Sequence, residues 1–316
     1  MIDTIEISLS FLITIVLLYP FIILMKKLKI GQHIRAEGPD MHNYKEGTPT
    51  MAGVVFIPVA VIVAMIFDRS PIMYFLGLTT MAFWAVGLAD GLIQTFLKRS
   101  EGLKMREKLV LQLIIAIIAY IFAEKLNPHL YTALPFAGTE WNLGWLYPVI
   151  TVIFMAGMSN ASNLTDGLDG LAGGTFLISS IGLLIFSLFE GLPLSLTLTS
   201  LGAVLAFLFY NVKPAKIFMG DVGSLALGGY VGAFAMLYGF EIWMILLFPL
   251  FVIEAVSVIM QVTSFKLFKK RIFRMSPIHH HFERAGYSEF KVTVGFWIFQ
   301  AMCTVVMIGA MVWTLR

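Results

Sequence analysis

Four aspartates are the residues of this sequence whose positions best suit chemistry. Asp90, Asp166, Asp169 and Asp221 stand at the ends of long apolar runs or in short connections that contain glycine. An ionisable side chain beside hydrocarbon is costly, and it usually lines a site or a water-filled cavity. Carboxylates that converge in this way suit a hydrated divalent cation or the hydroxyl groups of a nucleoside. We therefore expect the four to meet in one site.

The stretch SNASNLTDGLDGLAGG, residues 159–174, carries the densest polar pattern. Asn160, Asn163, Asp166 and Asp169 recur at every third position, so on a helix they drift around the axis but stay on one side. The glycines permit tight turns and close approach of the backbone. A polar turn that only caps two helices is the plainer interpretation. Four amides and carboxylates in so short a tract favour a binding site.

The segment FMGDVGS, residues 218–224, places Asp221 near the start of an apolar helix, where backbone N–H groups favour anions. Mg²⁺ keeps several waters and takes few protein ligands, so Asp221 together with the phosphates of a substrate suits it. The alternative is that Asp221 only caps the helix. Phe218 could stack on a base, or it could be an aromatic residue of the membrane interface.

Three consecutive histidines stand in SPIHHHFERAGYSE, residues 276–289. They cannot all face one way on a helix or strand, so a zinc site of the HxxxH type is not expected. Imidazoles can bind phosphate or transfer protons, whereas the alternative is a polar loop at the interface. Glu254 and Gln261 are seven residues apart and share a helix face, and the sequence assigns Glu254 no role.

The elements that must hold these residues in place are apolar helices. Of the 316 residues, 59% are apolar and 13% are charged, with a mean hydropathy of +0.87, whereas a soluble domain carries about 25% charged residues. This composition excludes a soluble enzyme and a disordered chain, and it predicts an all-α polytopic integral membrane protein. We expect a single membrane domain, residues 1–316, with ten spans at residues 5–25, 51–67, 71–97, 109–123, 146–163, 171–189, 193–210, 222–240, 242–265 and 291–315.

The basic residues are distributed unevenly between the two sides of these spans. Nineteen of the 22 lysines and arginines fall on one side, and only Arg69, Lys125 and Arg316 fall on the other. By the positive-inside rule the basic side faces the cytoplasm, so both termini are extracellular and the four aspartates are cytoplasmic. The net charge of +3 therefore indicates topology and anionic headgroups rather than nucleic acid.

Four segments together resemble the bacterial phospho-N-acetylmuramoyl-pentapeptide transferases, within the polyprenyl-phosphate N-acetylhexosamine-1-phosphate transferase superfamily. The likeness covers nearly the whole chain and keeps the order of the family. NLTDGLDG and MGDVGS are shared across the superfamily, and PIHHHFE is the mark of the muramoyl-pentapeptide branch. The segments are KEGTPTMAG (45–53), SNASNLTDGLDGLA (159–172), FMGDVGSLALGG (218–229) and FRMSPIHHHFE (273–283).

The resemblance implies a membrane transferase of the bacterial plasma membrane with a cytoplasmic active site. Undecaprenyl phosphate attacks the sugar-linked phosphorus of UDP-MurNAc-pentapeptide, and lipid I and UMP are formed with Mg²⁺ as cofactor. Direct one-step attack is favoured over a covalent phospho-Asp221 intermediate. The resemblance also implies a homodimer.

The resemblance further implies roles for particular residues. Asp90 matches the acid that deprotonates or orients the lipid phosphate, and Asp221 matches the Mg²⁺ ligand, with Asn163 beside it. Phe218 matches the aromatic residue that stacks on uracil. The nucleotide-side positions are Lys45, Thr50, Asn163, Asp166, Gly167, Leu168, Asp169 and Asn211, and those for sugar, phosphate or peptide are Lys98, Gln261, Ser276, His279, His280 and His281, of which His280 is also a catalytic candidate.

This sequence departs from the family at one point. After the third span the family has two adjacent aspartates with a lysine three residues beyond the second, whereas this chain has Asp90, Gly91 and Gln94. A mechanism that requires the second aspartate as a base or a ligand therefore lacks that residue in this chain.

Three other functions remain open at this point. A relative that uses UDP-N-acetylglucosamine lacks the histidine triplet. A secondary transporter gathers polar residues near the membrane midplane, whereas the acids here lie at one face. An intramembrane aspartyl protease needs an acid pair such as Asp90 and Asp221, which leaves residues 160–169 without a role.

Overall fold

The computed structural model describes residues 2–31, 45–97, 102–135 and 139–314. Within these ranges the protein is helical apart from one small hairpin and a 3₁₀ turn, Gly144–Leu146. In chain order the elements are α1 (Ile2–Lys27), α2 (Gly53–Phe67), α3 (Pro71–Leu97), α4 (Met105–Leu126), β1 (Tyr131–Leu134), β2 (Thr139–Asn142), α5 (Tyr147–Thr165), α6 (Leu171–Glu190), α7 (Ser195–Asn211), α8 (Gly220–Tyr238), α9 (Glu241–Leu247), α10 (Pro249–Phe268), α11 (Ile278–Arg284) and α12 (Glu289–Thr314).

The prediction of an all-α membrane protein is confirmed. In the described ranges eight helices are long and apolar enough to cross a membrane: α1, α3, α4, α5, α6, α8, α10 and α12. Helices α2 and α7, with 15 and 17 residues, are apolar but shorter, and they coincide with two further predicted spans. The total of ten spans and the extracellular termini stay predictions.

Helix α8 is the central element of the helical bundle. Every residue from Val222 to Leu237 is buried, as expected for a helix that is apolar on all sides and surrounded by others. Small residues allow the neighbouring backbones to come close. A Cβ atom added to Gly228 would lie 2.3 Å from the carbonyl oxygen of Met158 in α5. On α3, a Cβ atom on Gly87 would lie 2.3 Å from the carbonyl oxygen of Asp221. These contacts fix the relative heights of α3, α5 and α8.

The predicted continuous span at residues 242–265 is wrong. The structure has two helices, α9 and α10, separated by Phe248 with φ −116° and ψ 46°. Pro249 cannot donate a backbone hydrogen bond, and it restricts the residue before it to non-helical conformations. Helix α10 therefore begins as a separate element at Pro249.

The end of the bundle next to the hairpin has its own buried polar cluster. Strands β1 and β2 pair antiparallel, with Tyr131 opposite Asn142. The Tyr147 hydroxyl donates to Glu241 Oε1 over 3.0 Å, and His129 Nε2 lies 2.8 Å from the same hydroxyl. This cluster lies at the C-terminal end of α8, while Asp221 lies at its N-terminal end.

Candidate active site

Asp90 and Asp221 meet across a lysine that the sequence analysis did not select. Lys108 Nζ lies 3.2 Å from Asp90 Oδ1 and contacts Asp221 Oδ2 directly. The three side chains come from the end of α3, the start of α4 and the first turn of α8. The two acids therefore share one ammonium group, which is not the shared-proton arrangement of an aspartyl protease dyad.

Asp90 accepts hydrogen bonds on both carboxylate oxygens. The backbone N–H of Leu103 donates to Oδ1 over 2.8 Å, and the Gln94 amide donates to Oδ2 over 2.6 Å. Asp90 is only 1% exposed. Buried carboxylates are stable when their lone pairs are satisfied in this way. The Gln94 amide thus holds Asp90 in place.

The 160–169 tract is not one helical face as expected, because α5 ends at Thr165 and Asp166 is its C-terminal cap residue. Asn163, in the last turn of α5, donates to Asp221 Oδ1 and to Ser224 Oγ, each over 2.9 Å. Asn160 points elsewhere and donates to Gln112 Oε1 over 2.6 Å. Asn163 therefore joins the acid cluster directly, and Asp221 does not cap its own helix.

Asp169 belongs to a second cluster, in the turn before α6. Lys45 Nζ lies 2.7 Å from Asp169 Oδ1 and contacts Glu289 Oε1, and Lys213 Nζ lies 2.7 Å from Glu289 Oε2. Burial lowers the pKa of Lys45, but the carboxylates of Glu289 and Asp169 outweigh it and leave the pKa above its ordinary value. The Lys45 ammonium is thus a fixed positive charge.

Lys45 also lies over the Phe218 ring, with Nζ 5.6 Å from the ring centroid. The segment before α2 runs beside the segment before α8, since the Phe218 N–H donates to the Pro49 carbonyl over 2.9 Å. At Gly220, where φ is +67°, an added Cβ atom would lie 3.1 Å from Thr50 Oγ1. Lys45, Thr50 and Phe218 therefore line one side of the approach to Asp221.

Asp166, Gly167 and Leu168 form the turn between the two clusters. Desolvation raises the pKa of Asp166 well above its ordinary value, and the charge of Asp221 raises it further while Lys45 opposes them. Gly167 is exposed. Leu168 is 3% exposed and packs with Leu171, Leu250 and Val292, so a ligand at this turn meets its backbone rather than its side chain.

Asn211 and Gln261 use their amides to hold protein backbone. Asn211 accepts from the Gly170 N–H over 2.9 Å and donates to the Ile217 carbonyl over 2.9 Å. Gln261 accepts from the N–H groups of Ile272 and Phe273 and donates to the Phe273 carbonyl. Both residues therefore shape loops around the site. Lys98 lies outside the described residues.

The three histidines lie on α11 and point to three different partners, as their spacing predicted. His279 Nδ1 lies 3.1 Å from Glu254 Oε2, and His280 Nδ1 lies 2.7 Å from Glu283 Oε2. His281 Nδ1 accepts from the Arg274 N–H over 3.1 Å. Ser276 stands just before α11, at the peptide bond to Pro277.

The residues present fit a magnesium ion that is bound mainly through substrate. No group of three or more metal-ligating side chains occurs in the described part of the chain. Mg²⁺ needs only one or two carboxylates when waters and phosphates complete its shell. The Asp221 side chain is 27% exposed, and its charge raises the pKa of Asp166, so a cation near both carboxylates would offset the repulsion between them.

Two residues that the sequence analysis missed are central to these clusters. Lys108 was one of nineteen basic residues attributed to topology, and Glu289 stands at the start of the last apolar run. Neither has a local pattern that distinguishes it. The only available signal was that Glu289 is an acid next to hydrocarbon, the criterion that selected the four aspartates.

Comparison with known proteins identifies the family. Residues 72–239 match glycosyl transferase family 4. A phospho-N-acetylmuramoyl-pentapeptide-transferase of Kosmotoga olearia is 45% identical over 288 residues, which are 91% of this chain and 91% of that protein. Proteins of the same name from Petrotoga mobilis and Thermotoga neapolitana are each 41% identical, over 96% and 95% of this chain and 97% of each relative.

The chain belongs to the phospho-N-acetylmuramoyl-pentapeptide-transferase family. The resemblance drawn from the four sequence segments is thereby confirmed. Members of this family are membrane transferases of cell-wall synthesis, and the eight long apolar helices agree with a multi-pass membrane protein.

Proposed function

We propose that the clusters around Asp221 and Asp169 form the active site of a phospho-MurNAc-pentapeptide transferase. The enzyme transfers phospho-MurNAc-pentapeptide from UDP-MurNAc-pentapeptide to undecaprenyl phosphate, which gives lipid I and UMP. The observation that carries the proposal is the contact of Asn163 and Lys108 with Asp221, because it joins three distant parts of the chain at one point. The family relationship supplies the reaction class.

The residues of the site bind and orient a sugar nucleotide. Phe218 presents a ring for the uracil, and the turn at Asp166–Asp169 presents backbone and carboxylate groups to the nucleoside. Lys45, Lys108 and His280 hold phosphate oxygens by charge-assisted hydrogen bonds. Asp221, with Asn163 beside it, would hold Mg²⁺, and the ion would supply positive charge against the diphosphate. Catalysis comes mainly from positioning and charge neutralisation.

In this proposal Asp90 orients the lipid phosphate and does not remove a proton from it. Its two oxygens already accept from Leu103 and Gln94, and its neighbour Lys108 is positively charged. A phosphate monoester has a second pKa of about 6, so the lipid phosphate arrives largely ionised at neutral pH. A single aspartate therefore suffices, and attack is direct, in one step.

The proposal places the site on the cytoplasmic side of the bacterial plasma membrane, where the basic loops lie. This side holds the ends of the helices that carry Asp90, Asn163 and Asp221. A homodimer completes the proposal by analogy with the family.

Release of UMP from radiolabelled UDP-MurNAc-pentapeptide, with Mg²⁺ and undecaprenyl phosphate, tests the function. Wild type should release UMP and form lipid I, and Asp221→Ala should lose about 10²-fold or more in kcat. Asp68→Ala, at the far end of α2, is the control and should stay active. Turnover of UDP-N-acetylglucosamine at the same rate would contradict the assignment of UDP-MurNAc-pentapeptide as the substrate. A burst of UMP without lipid acceptor would contradict the single step.

A further inference from the structure

Glu254 is a buried acid in a predicted span that the proposed mechanism does not use. It lies in the second turn of α10, and its side chain is 0% exposed. A carboxylate at this depth is costly, and such residues usually have a partner and a role. Its partner here is His279, since Glu254 Oε2 lies 3.1 Å from His279 Nδ1.

The contact orients the imidazole ring, with Nδ1 turned toward Glu254. A carboxylate acceptor at this distance favours the tautomer with the proton on Nδ1. The other nitrogen, Nε2, has no hydrogen-bond partner among the described residues, and the His279 side chain is 1% exposed. A buried nitrogen without a partner is unusual and requires an explanation.

The free nitrogen faces the turn of the proposed active site. A Cβ atom added to Gly167 would lie 2.2 Å from His279 Nε2, so the ring rests directly on the backbone between Asp166 and Leu168. The rings of His279 and His280 are also close, with centroids 4.1 Å apart. The position of the His279 ring therefore sets both the turn and the neighbouring histidine.

We infer that Glu254 is a positioning residue, which acts through His279 to hold the Asp166–Asp169 turn in the shape that receives the nucleotide. The inference rests on the proposed function for the identity of that nucleotide. Glu254 does not touch substrate. It orients the imidazole, as carboxylates orient histidines in other sites, and the imidazole supports the turn.

The kinetic test compares Glu254→Leu and Glu254→Gln with wild type in the full-length enzyme. Glu254→Leu leaves Nδ1 without an acceptor, and we expect the KM for UDP-MurNAc-pentapeptide to rise about tenfold to a hundredfold. The KM for undecaprenyl phosphate should stay near the wild-type value. Glu254→Gln retains an accepting oxygen and should recover most of the loss. Glu241→Gln changes another buried glutamate, the first residue of α9 beside the hairpin; it is the matched control and should bind the nucleotide normally.

A double-mutant cycle separates positioning from general packing. If Glu254 acts only through His279, Glu254→Leu combined with His279→Leu should lose no more than His279→Leu alone. The inference would be overturned if the losses of the two single variants multiply in the double variant. It would also be overturned if Glu254→Leu has the wild-type KM. Glu254→Leu leaves a buried Nδ1–H without an acceptor, which is destabilising, so its melting temperature should fall, while a size-exclusion profile like that of wild type shows that it still folds.

A spectroscopic readout keeps this inference independent of the transfer reaction. In protein with ¹⁵N-labelled histidine, His279 should show the Nδ1-protonated tautomer in wild type and lose it in Glu254→Leu, with His279→Gln identifying the signal. An unchanged tautomer in Glu254→Leu would overturn the positioning role even in an active enzyme. Absence of UMP release from wild type would overturn only the proposed function.

Discussion

At the scale of single residues, Asp90 shows how one acid is supported without the second aspartate that the resemblance led us to expect. Gly91 follows Asp90, and a Cβ atom there would lie 2.9 Å from the Met51 Cε atom. Met51 therefore fills the volume next to Asp90. Gln94 and Lys108 bind the remaining carboxylate instead. The Asp90 carboxylate is thus held in place by a neutral amide and a shared ammonium group.

Replacement of Lys108 should disturb both acids at once. In Lys108→Met, Asp90 and Asp221 face each other without the shared ammonium group, and we expect UMP release to fall about 10²-fold or more. Lys108→Arg keeps the charge and should keep more of the rate. Lys125→Met, near the other end of α4, is the matched control. Equal rates for Lys108→Met and wild type would show that this contact is not needed for transfer.

The ion pairs of Lys45 should make the difference in stability between wild type and Lys45→Met depend on pH. Because its folded pKa is raised, its ion pairs stabilise the protein fully below the unfolded pKa of about 10.4, and this is lost as pH rises through the folded value. Lys45→Met should therefore melt below wild type at pH 8, and the gap should narrow above about pH 10.5. Melting temperatures at fixed ionic strength measure this, and a constant gap up to pH 11.5 would contradict it.

The sequence identified most of the acids but not their partners. Asp90 and Asp221 could be selected because an acid beside hydrocarbon needs a reason, and this argument holds without a structure. Lys108 and Glu289 could not be paired with them, since the pairing depends on how α4 and α12 pack rather than on any local pattern. Asn211 and Gln261 were expected to line the site, whereas their amides bind loop backbone.

At the scale of elements, the packing around α8 decides whether the site exists. Asp221 meets Asn163 only because α5 and α8 touch backbone to backbone at Gly228, and it meets Lys108 and Asp90 beside the contact at Gly87. A shift of either helix by an ångström breaks these hydrogen bonds, because their geometry tolerates little change.

Gly228→Ala should therefore act on the site from a distance of about two turns. The added methyl group overpacks the α5 contact, and we expect a loss of about 1–3 kcal/mol in stability together with a lower kcat. Gly309→Ala, on α12, has nothing within 4 Å of the added Cβ atom and should be silent. Thermal unfolding in detergent and UMP release measure both effects. A Gly228→Ala variant with wild-type stability would contradict the close contact.

The elements were predictable wherever apolar runs were long. The predicted runs coincide with α1 to α8 and α12, because membrane helices need about 20 apolar residues. The break at Phe248 was missed because its surroundings stay apolar, although Pro249 was a visible signal. The end of α5 at Thr165 lies two residues from the predicted end of that span, whereas the expectation that residues 160–169 share one side of a helix was wrong because the tract continues into a turn.

At the scale of the whole molecule, the two ends of the bundle differ in chemistry. The end that carries Asp221 has the basic loops, among them the connection with Lys213 and Lys216. The other end has the hairpin, with Trp141 and Trp145 exposed, as aromatic residues are at a membrane interface. The orientation of these two ends across the membrane stays a prediction, and it rests on the charge distribution.

Labelling of introduced cysteines tests this orientation. In a Cys303→Ser background, which removes the one native cysteine, a membrane-impermeant maleimide should label Trp145→Cys in intact cells and should reach Lys216→Cys only after permeabilisation. Both positions are exposed. Each variant must retain UMP release to count as folded. The reverse pattern of labelling would place the acids outside the cell.

Helices α2 and α7 have a consequence for the depth of the pocket. At 1.5 Å per residue they are about 22 and 26 Å long, less than the roughly 30 Å of the hydrocarbon layer, whereas α1 reaches about 39 Å. The ends of α2 and α7 that carry Gly53 and Asn211 are the ends beside the acids. Most residues of both helices are buried among their neighbours. Their shortfall in length therefore lies inside the protein, next to the acids, rather than at the boundary with lipid.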